Sequence, residues 1–91
     1  MATLLKEAGK NITATYTMKT DNALISYGGS FSGETFTISV VENGLPEPIP
    51  NGTISAGGQQ LLRLARDVVI QVVTSNGVGT PSINASILPR Y

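Results

Sequence analysis

Apolar residues alternate with hydroxyl-bearing residues along much of this chain, and that alternation limits the fold more than any other feature. In the segment 11–18 every second residue is apolar, and the residues between are asparagine or threonine. The segments 35–40 and 82–87 repeat the pattern with serine, threonine and asparagine. A period of two places successive side chains on opposite faces of an extended strand. The pattern therefore predicts half-buried β-strands with a hydroxyl-rich outer face.

Turn residues interrupt these segments at intervals of about ten residues. Asn43-Gly44 is a strong hairpin signal, because these residue types accept the positive φ that a tight hairpin needs. Three prolines between residues 46 and 50 predict an extended edge segment or a loop. The segment 59–66 has helix-forming composition, but its leucines also fit period two, so a strand is favoured and a helix stays open. The whole pattern predicts an antiparallel β-sandwich of six to eight short strands, jelly-roll or immunoglobulin-like.

The chain has the length of one small domain. With 91 residues it buries only about 60–65% of the surface that its unfolded form exposes. It contains no cysteine, so no disulfide can compensate for a thin core, and the remaining routes to stability are good packing or self-association that adds buried surface. Residues 1–10 precede the first alternating segment and predict a short N-terminal arm. Residues 11–91 then form a single β-sandwich domain.

Charge is scarce and balanced in this sequence. Six basic and six acidic residues give a formal net charge of zero, and charged residues make up 13% of the chain. A neutral chain does not attract a polyanion, and no apolar run is long enough to span a membrane, so neither nucleic acid nor a membrane is a predicted partner. A hydroxyl-rich surface is easily desolvated, which favours packing against other proteins.

The residue types that most catalytic sites need are missing. Histidine and cysteine are absent, which removes Ser-His and Cys-His pairs and the usual zinc ligands. The glycine-rich segments 28–33 and 77–79 lack the Gly-Lys-Ser/Thr of a phosphate-binding loop and are interpreted as turns or bulges. We therefore predict a protein that is not an enzyme, without catalytic, metal-binding or cofactor-binding residues. Six dispersed carboxylates are interpreted as solvated charges, mostly at turns: Glu7, Asp21, Glu34, Glu42, Glu47 and Asp67.

A small set of residues is predicted to contact a partner protein. Two are leucines of the predicted arm. Three are arginines that form the only positive grouping in the second half, and arginine is enriched at interfaces. Ordinary solvent-facing or rim charges are the other interpretation of these arginines, and the sequence favours it over contacts to a partner. The set consists of Leu4, Leu5, Arg63, Arg66, Arg90 and Tyr91.

One long run of the chain has a recognisable succession of segments. It consists of Gly29–Val40, a turn with Gly44, a proline-rich piece, Asn51-Gly52-Thr53, the strand Asp67–Val73, a glycine-rich loop, and Pro81–Leu88. This run resembles small structural proteins of tailed bacteriophages. Such proteins are β-sandwiches that decorate or stabilise capsids or serve as small tail and fibre parts.

The resemblance implies a virion protein, made in the host cytoplasm, that binds the outer shell of the capsid as a decoration or cement protein. It implies assembly with copies of itself as a symmetric homo-oligomer, a trimer being favoured, and with a major capsid protein or another virion subunit. The alternative is a carbohydrate- or receptor-binding β-sandwich module of a tail, fibre or adhesin. A surface rich in tyrosine, asparagine and threonine and several end loops support that alternative.

Overall fold

The computed structural model describes residues 2–90, which form β-strands joined by turns. Residues 2–90 contain no helix, and hence none that could cross a bilayer. In the ambiguous segment 59–66, the strand is confirmed as far as Leu62, and the rest is a loop. The strands are β1 (Ala2–Ala8), β2 (Thr13–Thr17), β3 (Asn22–Ser30), β4 (Phe36–Glu42), β5 (Leu45–Ile54), β6 (Gly58–Leu62), β7 (Val69–Thr74) and β8 (Ser82–Arg90).

The eight strands form two four-stranded antiparallel sheets. Sheet A has the order β1-β8-β3-β6, and sheet B has the order β2-β7-β4-β5. Four of the strand pairs, β4 with β5, β3 with β6, β2 with β7 and β1 with β8, are those of one long hairpin. Rolling that hairpin brings β8 against β3 and β7 against β4. The predicted antiparallel β-sandwich is confirmed, and its strand order is that of an eight-stranded jelly roll.

The tip of this long hairpin is the turn that the sequence predicts most clearly. Asn43 and Gly44 have φ of 53° and 78°, as a type I′ turn requires. The strand that follows, β5, lies at the edge of sheet B and contains all three prolines of the segment 46–50. An edge strand tolerates proline because its outward N–H groups have no partner in the sheet to lose.

The core lies between the inner faces of the two sheets. Phe36 of β4 is fully buried, and the ring of Tyr27 meets it edge-on at a centroid distance of 5.4 Å. Phe31 stacks on the same ring at 6.1 Å. The largest buried apolar side chains are Phe36, Leu5, Met18, Ile25, Ile38, Leu62, Ile70, Ile83, Ile87 and Val72. All except Met18, which follows β2, come from the strands of the two sheets, so the two sheets share one core.

The first strand differs from the sequence prediction. Residues 2–8 do not stand apart as an arm but pair with β8 as the edge strand of sheet A. Leu5 and Ala8 are 2% and 7% exposed, and both belong to the core. The register shifts on each side of Leu5, which breaks the period of two. A bulged strand of this kind leaves no regular alternation in the sequence.

Candidate interaction surfaces

The structure places five of the six predicted contact residues, and they lie in four different settings. Leu5 is buried in the core and is therefore not a free contact, which corrects the prediction for this residue. Leu4 is half-buried on β1. Arg66 is exposed in the loop before β7, where its backbone N–H donates a hydrogen bond to Asp21 Oδ1 at 3.2 Å. Tyr91 lies outside the described residues.

The other two predicted arginines come together at one end of sheet A. Arg90 of β8 pairs with Asn22 of β3. The register between β3 and β6 places Arg63, the residue after β6, on the other side of Asn22. With Leu61 these residues line a cleft of about 300 Å³, which we call the arginine cleft.

A row of leucines crosses the outer face of sheet A beside the arginine cleft. Leu24 of β3 pairs with Leu88 of β8 and with Leu61 of β6. Leu61 is 44% exposed, Leu88 is 38% exposed, and Leu24 is half-buried. Each of these leucines lies two residues from a cleft residue of the same chain segment, which in extended chain is about 7 Å. The leucine row and the arginine cleft therefore form one continuous surface.

The outer face of sheet B is different in character, because none of its paired rows contains a charged side chain. In each strand of sheet B, every second residue points into the core. The residues between them, which form the paired rows, point outward. The threonines of β2 are exposed, and the residues of the two central strands are half-buried or buried. We call this surface the charge-free face. Its rows are Thr13, Val73, Thr37 and Thr53; Thr15, Gln71, Ser39 and Pro48; and Thr17, Val69, Val41 and Pro46.

A buried carboxylate lies in the loops at the far end of the sandwich. Glu34 is only 5% exposed. Its Oε1 accepts hydrogen bonds from Ser75 Oγ at 2.7 Å and the Gly77 N–H at 2.6 Å, and its Oε2 accepts one from the Gly79 N–H at 2.9 Å. The hydrogen bonds from Gly79, Ser75 and Gly77, with a smaller effect of the Lys10 charge, hold the pKa of Glu34 below its ordinary value of 4.5. The interpretation of Glu34 as a solvated turn charge is therefore wrong.

The glycines of the segment 77–79 allow this close approach. A Cβ on Gly77 would lie 2.8 Å from Oε1 of Glu34, and a Cβ on Gly79 would overlap the carbonyl oxygen of Ser32. Backbone N–H groups thus converge on an anion, as they do in phosphate-binding loops, but the anion is the protein's own side chain. These hydrogen bonds attach the loop to Glu34, and Val78, between the two glycines, is fully exposed to solvent.

Neither a cluster of metal ligands nor an aromatic platform is found on the described surface. Within residues 2–90, no three acidic side chains come close enough together to hold a metal ion. Tyr16 and Tyr27 are both half-buried, and Tyr27 packs on a core phenylalanine. Comparison with protein-family models and with curated proteins gives no match for this chain.

Proposed function

We propose that this protein is a non-enzymatic structural subunit that acts by lasting protein–protein assembly, as a capsid decoration protein of a tailed phage. The charge-free face carries the proposal. Burying a charge without a partner is costly, and this face can be covered without burying any charged side chain. Its threonines and valines also present a regular pleated surface against which a second protein can pack.

The dimensions of the charge-free face indicate how assembly would be organised. Four strands about 4.8 Å apart and three rows about 6.8 Å apart cover about 400 Å². Two copies packed through this face would bury about 800 Å² in total, which is less than the 1,200 Å² or more of stable interfaces. A lasting assembly then needs a second contact. The leucine row on the opposite sheet supplies one, so that one face meets further copies and the other meets the shell.

The virion role is supported by the sequence resemblance of residues 29–88 to small phage structural proteins. The jelly-roll strand order is compatible with it, since viral capsid proteins and lectins both use this fold. Because capsid proteins and lectins share this fold, the fold alone does not distinguish a structural role from sugar binding. The carbohydrate- or receptor-binding alternative stays a prediction, and the half-buried state of Tyr16 and Tyr27 gives it no stacking platform among the described residues.

Light scattering after size exclusion tests the assembly half of the proposal. We expect an oligomer whose mass rises with protein concentration. Gln71→Lys places a charge at the centre of the charge-free face and should shift the protein to the monomer. Ser26→Lys is the matched control, because Ser26 is also half-buried on the outer face of a central strand, but in sheet A. A wild-type monomer at every concentration would reject assembly through this face.

Co-sedimentation with head shells tests the virion half. The shells are assembled from the major capsid protein of the same genome, and we expect the protein to saturate them at a fixed number of copies. An oligomer that does not bind shells would reject the decoration role and leave the assembly role standing. Specific binding on a glycan array, without binding to shells, would favour the receptor-binding alternative.

A further inference from the structure

We propose that the arginine cleft binds a carboxylate side chain of a partner protein, while the leucine row takes an apolar side chain two residues along the same partner segment. This inference rests on the proposed function only in taking the partner to be a protein. It names the chemistry of that partner, which is an extended segment with an acidic residue and an apolar residue two positions away from it.

The geometry of the cleft suits one carboxylate bound from two sides. Arg63 and Arg90 lie one strand to either side of Asn22, so their Cα atoms are about 10 Å apart. A guanidinium presents paired N–H donors that match the two oxygens of a carboxylate. The amide of Asn22, between them, can add a further N–H donor.

The charges of the cleft are complementary to an acidic ligand. Among the described residues, its lining contains two arginines and no carboxylate. Asp21, which adjoins the cleft residue Asn22 in sequence, instead accepts the backbone N–H of Arg66. The buried carboxylate of Glu34 follows the opposite end of β3, a strand that spans about 26 Å. The cleft therefore brings together two of the six basic side chains of the chain, with no carboxylate among its described lining residues.

The leucine row sets the spacing of the partner segment. In an extended chain, residues i and i+2 point to the same side about 7 Å apart. The step from the arginine cleft to the leucine row has the same length, since each leucine lies two residues from a cleft residue along the chain. An acidic residue over Asn22 would therefore place a residue two positions away from it, before or after according to the direction of the segment, over Leu24.

Amide chemical shifts of the ¹⁵N-labelled protein provide the test. The probe is acetyl-Thr-Leu-Thr-Glu-Thr-Leu-Thr-amide, which presents the spacing in both chain directions, and its control is the same peptide with glutamine in place of glutamate. We expect the acidic peptide to shift the amides of Asn22, Leu61 and Leu24 and to bind at least tenfold more tightly than the control peptide. Arg63→Gln and Arg90→Gln should each weaken binding about tenfold or more.

Arg66→Gln is the matched control variant, because Arg66 is an exposed arginine outside the cleft lining. It should leave peptide binding unchanged, and thermal denaturation should show that all three variants are folded. Equal loss of binding in Arg66→Gln, or equal binding of the glutamine peptide, would overturn the proposal. Inorganic phosphate that binds as tightly as the acidic peptide would also overturn it, since the cleft would then be a general anion site. If the protein binds the peptide but stays monomeric, this inference stands and the proposed assembly is rejected.

Discussion

A single buried carboxylate joins the loops at one end of the sandwich. Glu34 lies in the connection between β3 and β4, and its hydrogen-bond donors lie 41 to 45 residues later, in the connection between β7 and β8. Hydrogen bonds to a carboxylate are stronger when it is ionised, so they favour the charged form. No local pattern in the sequence signals such a contact, because the residues that remove Glu34 from solvent are brought to it only by the fold.

Glu34→Gln should lower the melting temperature at neutral pH. The amide group of glutamine would face backbone N–H groups that need an acceptor, and the charge would be lost. The pKa of Glu34 is lower in the folded protein than its ordinary value of 4.5. Its stabilising effect is therefore complete above that value and disappears as the pH falls through the folded-state pKa.

Thermal denaturation followed by circular dichroism, from about pH 7 to about pH 2.5, checks this dependence. The melting temperatures of wild type and Glu34→Gln should differ at neutral pH and converge in acid. Glu47→Gln is the control, because Glu47 is an exposed glutamate on an edge strand. A gap between wild type and Glu34→Gln that is the same at every pH would contradict the role assigned to the ionised carboxylate.

Gly52 lies where the packing leaves no room for a Cβ atom. A Cβ at this residue would lie 2.6 Å from the carbonyl oxygen of Ile38 and 2.8 Å from Cγ1 of Ile49. Gly52→Ala should therefore reduce the free energy of unfolding by about 1–3 kcal/mol. At Gly9 an added Cβ meets no atom within 4 Å, so Gly9→Ala should change the free energy of unfolding by about 0.5 kcal/mol or less. Urea denaturation of the two variants measures the difference, and equal losses would rule out crowding as the cause.

At the scale of strands, the sequence predicts much of the fold and little of the surface. Period two predicts the strand regions around β2, β4 and β8, and the Asn43-Gly44 turn predicts the tip of the long hairpin. The sequence does not predict β1, because register shifts beside Leu5 interrupt the alternation. It groups Arg63 with Arg90 but also with Arg66, because only the pairing of β3 with both β6 and β8 shows which arginines share a cleft.

Two neighbouring valines of β7 test which face of this strand is buried. Val72 is completely buried, and Val73 is half-buried on the charge-free face. Threonine has nearly the shape of valine but adds a hydroxyl group. Val72→Thr should reduce the free energy of unfolding by about 1–3 kcal/mol, because that hydroxyl enters an apolar core. Val73→Thr should cost about 0.5 kcal/mol or less, as is usual at surface positions.

Urea denaturation at a low protein concentration measures both valine variants without a contribution from assembly. A larger loss for Val73→Thr than for Val72→Thr would mean that the register of β7 is shifted by one residue. Such a shift exchanges the two faces of a strand.

At the scale of the whole molecule, the outer faces of the two sheets are the surfaces that remain for contacts with other molecules. Pairing the two halves of one long hairpin uses most strand edges internally, and the prolines of β5 protect one edge of sheet B. What remains are two outer faces of contrasting chemistry, one charge-free and one with leucines beside two arginines. A protein with 13% charged residues and one small core would gain stability if a partner covered those faces, as the proposed assembly requires.

Assembly should therefore make the melting temperature depend on protein concentration. A partner that binds only the folded state stabilises it by mass action, and in the proposed assembly that partner is a further copy of the chain. A hundredfold increase in concentration should raise the melting temperature by several degrees, since 1 kcal/mol corresponds to about 4–8 °C for a domain of this size. Gln71→Lys should show the melting temperature of the dilute wild type at all concentrations, and Ser26→Lys should keep the wild-type dependence. Scanning calorimetry over that range measures this dependence, and a concentration-independent wild type would mean that the folded chain is stable alone.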